Sequence, residues 1–272
     1  MIEVSLLGPF SIKLDGKRLY PDLGHSGLRM AAHLFASPGR LHRREKIADI
    51  YWPELPLERS RAALNSAMWR LRKILGQDPH SNGGKNLRSI GENIVFDLEP
   101  WIKVDTAIVS SIAKASANGK NTAGIAELQQ VIDLYLGPFM DGDDSPAFLE
   151  ERERLHTCFV GVAYELLTHH IGLEDYPAAI AICRKVLTFD PYREYFVRKI
   201  LGALCLNGQR AEAANYFERW QRLLREEIGV APMPDTLDLL RIVRTCQTFE
   251  DVNAIRAVVH ASKQNASPQH TW

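Results

Sequence analysis

The sequence of 272 residues lacks the cysteine and histidine patterns that build disulfide frameworks and metal centres. Zinc sites need closely spaced ligands, and the adjacent His169 and His170 would point about 100° apart on a helix. No CxxC pair occurs, and each cysteine lies in an apolar helical context that predicts a reduced core thiol. The four cysteines are Cys158, Cys183, Cys205 and Cys246. We therefore expect no metal and no cofactor.

Long apolar runs and catalytic motifs are also missing. No run approaches the roughly 20 apolar residues that a membrane-spanning helix requires. The N-terminus, "MIEVSLLGPF", lacks the positively charged start and the cleavage site of a signal peptide. We therefore expect a cytoplasmic protein without membrane association. Because the sequence has no nucleophile–base pair, P-loop or metal-ligand spacing, we expect it not to be an enzyme.

The sequence lacks net charge, but its charges are unevenly distributed. Lysine plus arginine and aspartate plus glutamate each number 33. Residues 1–100 nevertheless hold 15 basic and 11 acidic residues, and the segment from Arg40 to Lys73 holds 9 basic and 4 acidic residues. A local basic block beside an acidic remainder is typical of a small polyanion-binding module joined to a second part.

The first 100 residues predict a winged helix. "IEVSLL" and "FSIKL" alternate apolar and polar residues, and Asp15-Gly16 predicts a hairpin turn into "KRLY". Helical periodicity follows in "HSGLRMAAHLFAS", in "RREKIADIYW" and over residues 58–76, before "KNLRSI", "GEN" and "IVFDL" predict a second hairpin. Three short helices and a hairpin are the plan of a winged helix, whose third helix enters the major groove. The alternative is a generic α+β domain with a basic helix.

The third predicted helix carries no acid from Arg59 to Lys73 on the face opposite its apolar stripe. A solvated helix usually mixes both signs of charge, so this absence is informative. Asn65 can pair with a base edge, ideally with adenine through two hydrogen bonds. Flanking Arg and Lys side chains can bind phosphates. We predict DNA contacts from Arg59, Arg61, Asn65, Ser66, Trp69, Arg70, Arg72 and Lys73.

Two features of this predicted interface stay open. Trp69 either contacts a sugar or a thymine methyl, or packs against the hairpin or the first helix with its N–H bonded to a partner. Arg88 and Asn93 are the DNA-contact candidates of the hairpin. Its turn also contains Glu92, an acid where a DNA-facing hairpin prefers neutral or basic residues, which weighs against insertion into the minor groove.

After residue 101 the sequence predicts helices almost throughout. Two segments repeat at an offset of 34 residues, "YPAAIAICRKVLTFDP" from Tyr176 and "RAEAANYFERWQRLLREE" from Arg210. A 34-residue period of paired helices is the signature of tetratricopeptide repeats. We predict a winged-helix domain at residues 1–100, an all-α tetratricopeptide-like domain at 101–248, and a terminal helix with a disordered tail at 249–272.

Together these motifs resemble the Streptomyces antibiotic regulatory protein type of transcriptional activator. The resemblance covers about residues 2–245. It rests on "LLGPFSI" and "LDG", on "RSRAALNSAMWRLRKILG", and most specifically on "DPYREYFVRKILGALCLNGQRAEAANYFERWQRLLREEIGVAPMPDT". The implied fold is α+β: an N-terminal OmpR-type winged helix-turn-helix followed by a bacterial transcriptional activation domain of tetratricopeptide-like helices.

The resemblance implies a sequence-specific activator that binds direct repeats in promoter DNA, as a homodimer on the DNA, and recruits RNA polymerase. In the loop "YWPELPLE" it implies polymerase contacts from Trp52, Glu54, Leu55 and Glu58. The rival hypothesis is a tetratricopeptide-type protein adaptor whose winged helix serves packing or dimerisation. An affinity for DNA that falls steeply with salt separates the two, because phosphate contacts release counterions.

Overall fold

A computed structural model of the protein describes residues 1–81, 84–117 and 123–261. It confirms the predicted fold class, an N-terminal winged helix-turn-helix with an all-α tetratricopeptide-like C-terminal part. The predicted turn "NGKN" at 118–121 lies outside the described residues, as does the predicted disordered tail "ASKQNASPQHTW" after its first residue, Ala261. Within the described ranges, none of the helices combines the length and the apolar content needed to cross a membrane.

The chain starts with a four-stranded sheet in the order β3-β2-β1-β7. Its strands are β1 (Ile2–Ser5), β2 (Ser11–Leu14), β3 (Lys17–Leu19) and β7 (Ile102–Val104). The predicted hairpin turn is confirmed, since Asp15 and Gly16 have φ angles of 48° and 78°. Strand β7, which the sequence did not indicate, pairs in parallel with β1 and aligns Val104 with Val4. The sheet is therefore completed by residues that follow the predicted winged helix.

The winged helix lies between β3 and β7. Its elements are α1 (Gly24–Ala36), β4 (His42–Arg43), α2 (Arg44–Tyr51), α3 (Leu57–Leu75), β5 (Leu87–Ile90) and β6 (Asn93–Phe96). The strands form a second sheet in the order β4-β6-β5, and the hairpin of β5 and β6 is called the wing below. Helix α3 starts after Pro56, whose extended backbone suits the first position before a helix. Its predicted stripe is buried: Leu64, Met68, Leu71 and Leu75.

The helices after β7 follow the predicted order. They are α4 (Asp105–Ala117), α5 (Ile125–Leu134), α6 (Leu149–Gly172), α7 (Tyr176–Phe189), α8 (Glu194–Leu206), α9 (Arg210–Glu227), α10 (Pro234–Thr245) and α11 (Phe249–His260). The repeat is visible in the structure, because α7 and α9 begin 34 residues apart at Tyr176 and Arg210. Ala179 and Ala213, which the repeat superposes, are both fully buried. Small residues at these positions let neighbouring helices pack closely.

The structure divides into two compact units. The first comprises Met1–Ala123 and Asp133–Phe159, and the second comprises Gly124–Ile132 and the described residues from Val160 onward. The boundary predicted at residue 100 thus falls inside the first unit. Sequence periodicity could not show this, because it detects single elements and not which elements share a core.

Three contacts explain why the first unit extends past residue 100. The buried Asp105 carboxylate accepts hydrogen bonds from the backbone N–H groups of Leu6 and Leu7, at 2.7 and 2.8 Å. Its burial raises the pKa of Asp105 to about 6. Arg29 of α1 donates two hydrogen bonds to the Asp143 carboxylate, at 2.7 and 2.8 Å. A backbone bridge also pairs Leu7 with Phe139. Residues 133–159 therefore help to hold the winged helix in place.

The second unit is organised around α8, which packs against α7, α9, α10 and α11. A Cβ at Gly202 of α8 would lie 2.3 Å from Val259 of α11, so glycine permits this close approach. The buried Lys199 donates to the carbonyls of Val258 and Ala261 at 3.1 and 2.7 Å. All four cysteines are free, but only Cys183 is fully buried and the other three are half-buried.

Candidate nucleic-acid interface

The outer face of α3 is exposed along its whole length. Of the residues predicted on this helix to contact DNA, Arg72 is half-buried and the others are exposed: Arg59, Arg61, Asn65, Ser66, Trp69, Arg70 and Lys73. They lie opposite a stripe that is fixed in the core by Leu64 and Leu71. The helical period of 3.6 residues produces this arrangement, because it separates residues such as Asn65 from the buried side.

Trp69 lies on this outer face with 62% of its surface exposed. Its ring contacts the Lys73 side chain, whose Nζ lies 5.6 Å from the ring centroid. A cation over an indole face at this distance is attracted by the ring quadrupole. Of the two roles considered for Trp69, the geometry leaves the ring available to a ligand and does not bury it under the wing or α1.

Two of the predicted cations on α3 already contact acidic residues. Arg61 contacts Glu45 of α2 at 2.6 Å and Glu58 of its own helix at 3.2 Å. Arg70 donates to the backbone carbonyl of Asp22 at 2.9 Å. Neither Arg59 nor Lys73 has an acidic partner among the residues that the structure describes. Arg59 and Lys73 therefore present positive charge on the exposed face of α3 that no acid in the described part of the chain neutralises.

Arg44, which the sequence did not single out, joins α2, α3 and the wing. As the first residue of α2 it donates through Nη1 to the Ser89 hydroxyl of β5, at 3.1 Å, and through Nη2 to the Asn65 Oδ1 of α3. Arg72 approaches the same hydroxyl with Nη2 at 3.3 Å and donates through Nε to the Leu87 carbonyl at 2.8 Å. Arg44, Asn65, Arg72 and Ser89 form what is called the arginine cluster below.

The arginine cluster places two like charges around one neutral hydroxyl. Burial and the neighbouring Arg44 charge both lower the pKa of Arg72. No carboxylate in the described part of the chain pairs with Arg44 or Arg72. Two guanidinium groups held together without an acid create a positive potential that favours an anion, and guanidinium groups suit phosphate oxygens in particular.

The sequence signal for Arg44 was the basic block between Arg40 and Lys73. That block showed an excess of positive charge but not which of its members would meet. Arg44 lies 21 residues from Asn65 and 45 residues from Ser89 along the chain. No spacing rule links positions that far apart.

The predicted wing contacts have different surroundings. Arg88 is exposed on β5 and paired with the Asp97 carboxylate. Asn93 is half-buried at the start of β6, opposite Arg43 and Ile90 in the sheet. Ile90, which the sequence analysis did not select, is 44% exposed at the tip of the wing. The tip therefore presents an apolar side chain beside the acidic Glu92.

The loop between α2 and α3 exposes apolar side chains next to acids. Trp52 is half-buried, Leu55 is 38% exposed, and Glu54 and Glu58 are exposed. Leu57, which was not among the predicted polymerase contacts, is 50% exposed. Because Leu57 is the first residue of α3, the exposed apolar side chains extend from the loop into the first turn of the helix.

A hydrogen-bond network connects α1, β4 and α2. The Tyr51 hydroxyl lies 2.8 Å from His33 Nδ1, His33 Nε2 lies 3.1 Å from His42 Nδ1, and His42 Nε2 lies 3.0 Å from the Ser37 hydroxyl. Ser37 in turn donates to the His33 carbonyl. Burial lowers the pKa of His33 to about 4 and also lowers that of His42. Both imidazoles are therefore neutral at pH 7, which gives every atom in the network a partner.

Known proteins resemble this chain in sequence. Residues 104–244 match the family described as "Bacterial transcriptional activator domain". Regulatory protein AfsR of Streptomyces coelicolor is 24% identical over 265 residues, which cover 94% of this chain and 26% of AfsR. Transcriptional regulatory protein MoaR1 of Mycobacterium tuberculosis is 25% identical over 255 residues, which cover 86% of this chain and 76% of MoaR1. The chain spans about a quarter of the length of AfsR.

A solved structure shares the fold. EmbR of Mycobacterium tuberculosis, in complex with a low affinity phosphopeptide, superposes with a TM-score of 0.66 at 20% identity, over 95% of this chain and 69% of EmbR. The family match covers more than half of the chain and includes the whole tetratricopeptide-like repeat region from α7 to α9. The chain belongs to the bacterial transcriptional activator domain family, and its winged helix followed by that domain resembles regulators of the Streptomyces antibiotic regulatory protein type.

Proposed function

We propose that the protein binds promoter DNA in a sequence-specific manner and activates transcription by recruiting RNA polymerase. The observation that carries the proposal is the outer face of α3 from Arg59 to Lys73, which has exposed Asn65, Ser66 and Trp69, unpaired Arg59 and Lys73, and no acid. A small, polar and basic helix face of this kind fits the major groove, where side chains contact base edges and phosphates.

The residues of the interface divide by role. Asn65 and Ser66 lie where a helix in the groove meets base edges, and Trp69 supplies an apolar ring beside them. Arg59 and Lys73 bind phosphates, and Arg44 and Arg72 hold the wing while presenting positive charge to the backbone. Arg61, Arg70, Arg88 and Asn93 complete the predicted set. The first three exchange an internal acceptor for a phosphate when DNA binds.

The polymerase contact is assigned to the loop between α2 and α3. Leu55 of the loop and Leu57 at the start of α3 are exposed beside Glu54 and Glu58 and offer apolar side chains with acidic neighbours, and the half-buried Trp52 begins the loop. We further propose that the protein acts in the cytoplasm, binds direct repeats as a homodimer on the DNA, and has no enzymatic activity. The helices of the second unit serve protein contacts.

Selection of bound sites from random double-stranded DNA tests the proposal. We expect enrichment of a repeated motif, with affinity falling steeply as salt rises from 50 to 200 mM, because several phosphates are neutralised. A protein adaptor would enrich no motif and would show no such salt dependence.

A second experiment separates DNA binding from polymerase recruitment. Leu55→Ser combined with Leu57→Ser should abolish activation in a transcription assay and leave DNA affinity unchanged. Loss of DNA affinity in that variant would contradict the assignment of the loop.

A further inference from the structure

We propose that Arg44 fixes the Asn65 amide so that Asn65 acts as a hydrogen-bond donor and selects guanine in the major groove. The inference rests on the proposed DNA-binding function and assigns a base preference to one position of the target site. It also makes Arg44 a positioning residue, since it acts through Asn65.

The orientation of the amide follows from hydrogen-bond chemistry. A guanidinium group can only donate, so the atom of Asn65 that meets Arg44 Nη2 must be the oxygen Oδ1. This settles the ambiguity between oxygen and nitrogen that affects most asparagine side chains. The Nδ2 group, with two hydrogens, has no hydrogen-bond partner among the residues that the structure describes. It is therefore the group left for a ligand.

Arg44 is itself held from a second side. Its Nη1 donates to the Ser89 hydroxyl of the wing, at 3.1 Å, while Nη2 donates to Asn65. The Ser89 hydroxyl also accepts from Arg72, whose Nε is bonded to the Leu87 carbonyl. Because both ends of the guanidinium are engaged, rotation of the Asn65 amide would break a hydrogen bond to a charged group. Such bonds contribute roughly twice as much as neutral ones.

The donor orientation changes which base Asn65 prefers. Adenine presents the N7 acceptor and the N6 amino donor, so the usual asparagine–adenine pair uses Oδ1 as well as Nδ2. One of the two lone pairs of Oδ1 accepts from Arg44, so an adenine N6 group would have to reach the other beside a guanidinium charge. Guanine presents two acceptors, N7 and O6, which match the two hydrogens of Nδ2 and need nothing from Oδ1. The charges of Arg44 and Arg72 act in the same direction, since they attract the O6 of guanine and repel the amino group of adenine. The proposal therefore differs from the expectation from sequence alone, a bidentate contact with adenine.

Selection from random DNA with four proteins tests the proposal: the wild type, Asn65→Ala, Arg44→Met and Arg43→Met. The position that loses its preference in Asn65→Ala should hold guanine in the wild type. In Arg44→Met the amide is free to turn, and the guanine-over-adenine preference at that position should fall about 10-fold. Arg43→Met is the matched control, because Arg43 is the adjacent exposed residue and has no bond to Asn65. It should lower affinity for all sequences equally.

Three outcomes would overturn the inference. These are adenine at the Asn65-dependent position of the wild-type site, no position that depends on Asn65, or identical base preferences in Arg44→Met and Arg43→Met. If Arg44→Met fails to fold, Arg44→Lys replaces it; lysine keeps the charge but cannot hold Ser89 and Asn65 through one planar group. Failure of the proposed function looks different, since the wild type would then enrich no motif. Replacing the selected guanine by 7-deazaguanine should weaken wild-type binding about 10-fold and leave Asn65→Ala unaffected.

Discussion

Helices α3 and α9 are both long and amphipathic, and each contains a tryptophan, but the two tryptophans have opposite surroundings. Trp220 of α9 is 5% exposed, and its indole N–H donates to the Pro191 carbonyl at 2.8 Å. Trp69 of α3 is 62% exposed, and the Lys73 Nζ lies 5.6 Å from its ring centroid. The same residue type therefore supports a core in one helix and an open surface in the other.

The charges of the two helices differ in the same way. Helix α9 holds four arginines and four glutamates, and Glu212 and Glu218 pair with Arg184 and Arg244 of neighbouring helices. Helix α3 holds five basic residues and one acid. Balanced charge is typical of a solvated face, whereas unbalanced charge beside an exposed aromatic indicates a face that binds a polyanion.

The two helices also differ in how far along the sequence their packing partners lie. Helix α9 packs against α8 and α10, its neighbours in sequence. The unit that contains α3 takes in residues up to Phe159, through β7, Asp105 and Asp143.

The largest expected effect is on the folding of the winged helix when the segments after residue 100 are removed. A fragment of residues 1–100 loses β7 and the partners of Leu6, Leu7 and Arg29, and we expect no cooperative unfolding transition in urea. A fragment of residues 1–159 keeps them and should unfold cooperatively. A cooperative transition in the shorter fragment would show that the winged helix folds without the segments after residue 100. In that case α3, like α9, would depend only on packing partners that are close in sequence.

The paired tryptophans give the next largest effect. We expect Trp220→Ala to lower the free energy of unfolding by about 3–5 kcal/mol, because it leaves a cavity and an unpaired Pro191 carbonyl. Trp69→Ala should change it by less than about 0.5 kcal/mol, as is usual for an exposed position. Urea denaturation of the full chain measures both. Similar losses in the two variants would mean that Trp69 is a core residue.

Acid should lower the stability of the unit that contains α3, because His33 in this unit binds a proton less readily when the chain is folded. The pKa of His33 is lowered from 6.5 to about 4, so the unfolded chain binds the proton more tightly and stability falls as pH drops from 7 to 4. We expect a loss of about 2–3 kcal/mol from this group. Asp105 acts in the opposite direction, because its pKa is raised to about 6 and the folded state holds that proton more tightly.

Urea denaturation at pH 7 and pH 4.5 measures this dependence. His33→Gln should flatten it, since glutamine does not titrate. Asp105→Asn should steepen the loss in acid, because it removes the opposing group. An unchanged pH dependence in His33→Gln would exclude the network as its source.

The smallest effect compares single charges on the two helices. Lys73→Gln should reduce the slope of log affinity for DNA against log salt by about 0.9, the loss of one phosphate contact. Arg222→Gln on the exposed side of α9 removes the same charge and should leave the slope unchanged. Titrations of labelled DNA at several salt concentrations provide the slopes. Equal changes in both variants would indicate that overall charge, and not the α3 face, governs binding.

The sequence predicted those features that depend on local periodicity. The buried stripe of α3, the turn at Asp15 and Gly16, and the 34-residue offset between α7 and α9 all follow from spacings within a few residues or one repeat. Strands β4 and β7 escaped prediction because two or three residues carry too little periodicity, and only pairing with β6 and β1 makes them strands.

By itself the sequence determined the order of the helices and of the two hairpins, the acid-free face of α3 from Arg59 to Lys73 and the family of the repeat region. Only the tertiary structure decided that residues 133–159 belong with the winged helix and that Arg44 meets Asn65 and Ser89. The physical reason is the same in both cases. Helix and turn formation depend on neighbours in the chain, whereas ion pairs and hydrogen-bond networks join residues far apart in sequence that only the tertiary fold brings together.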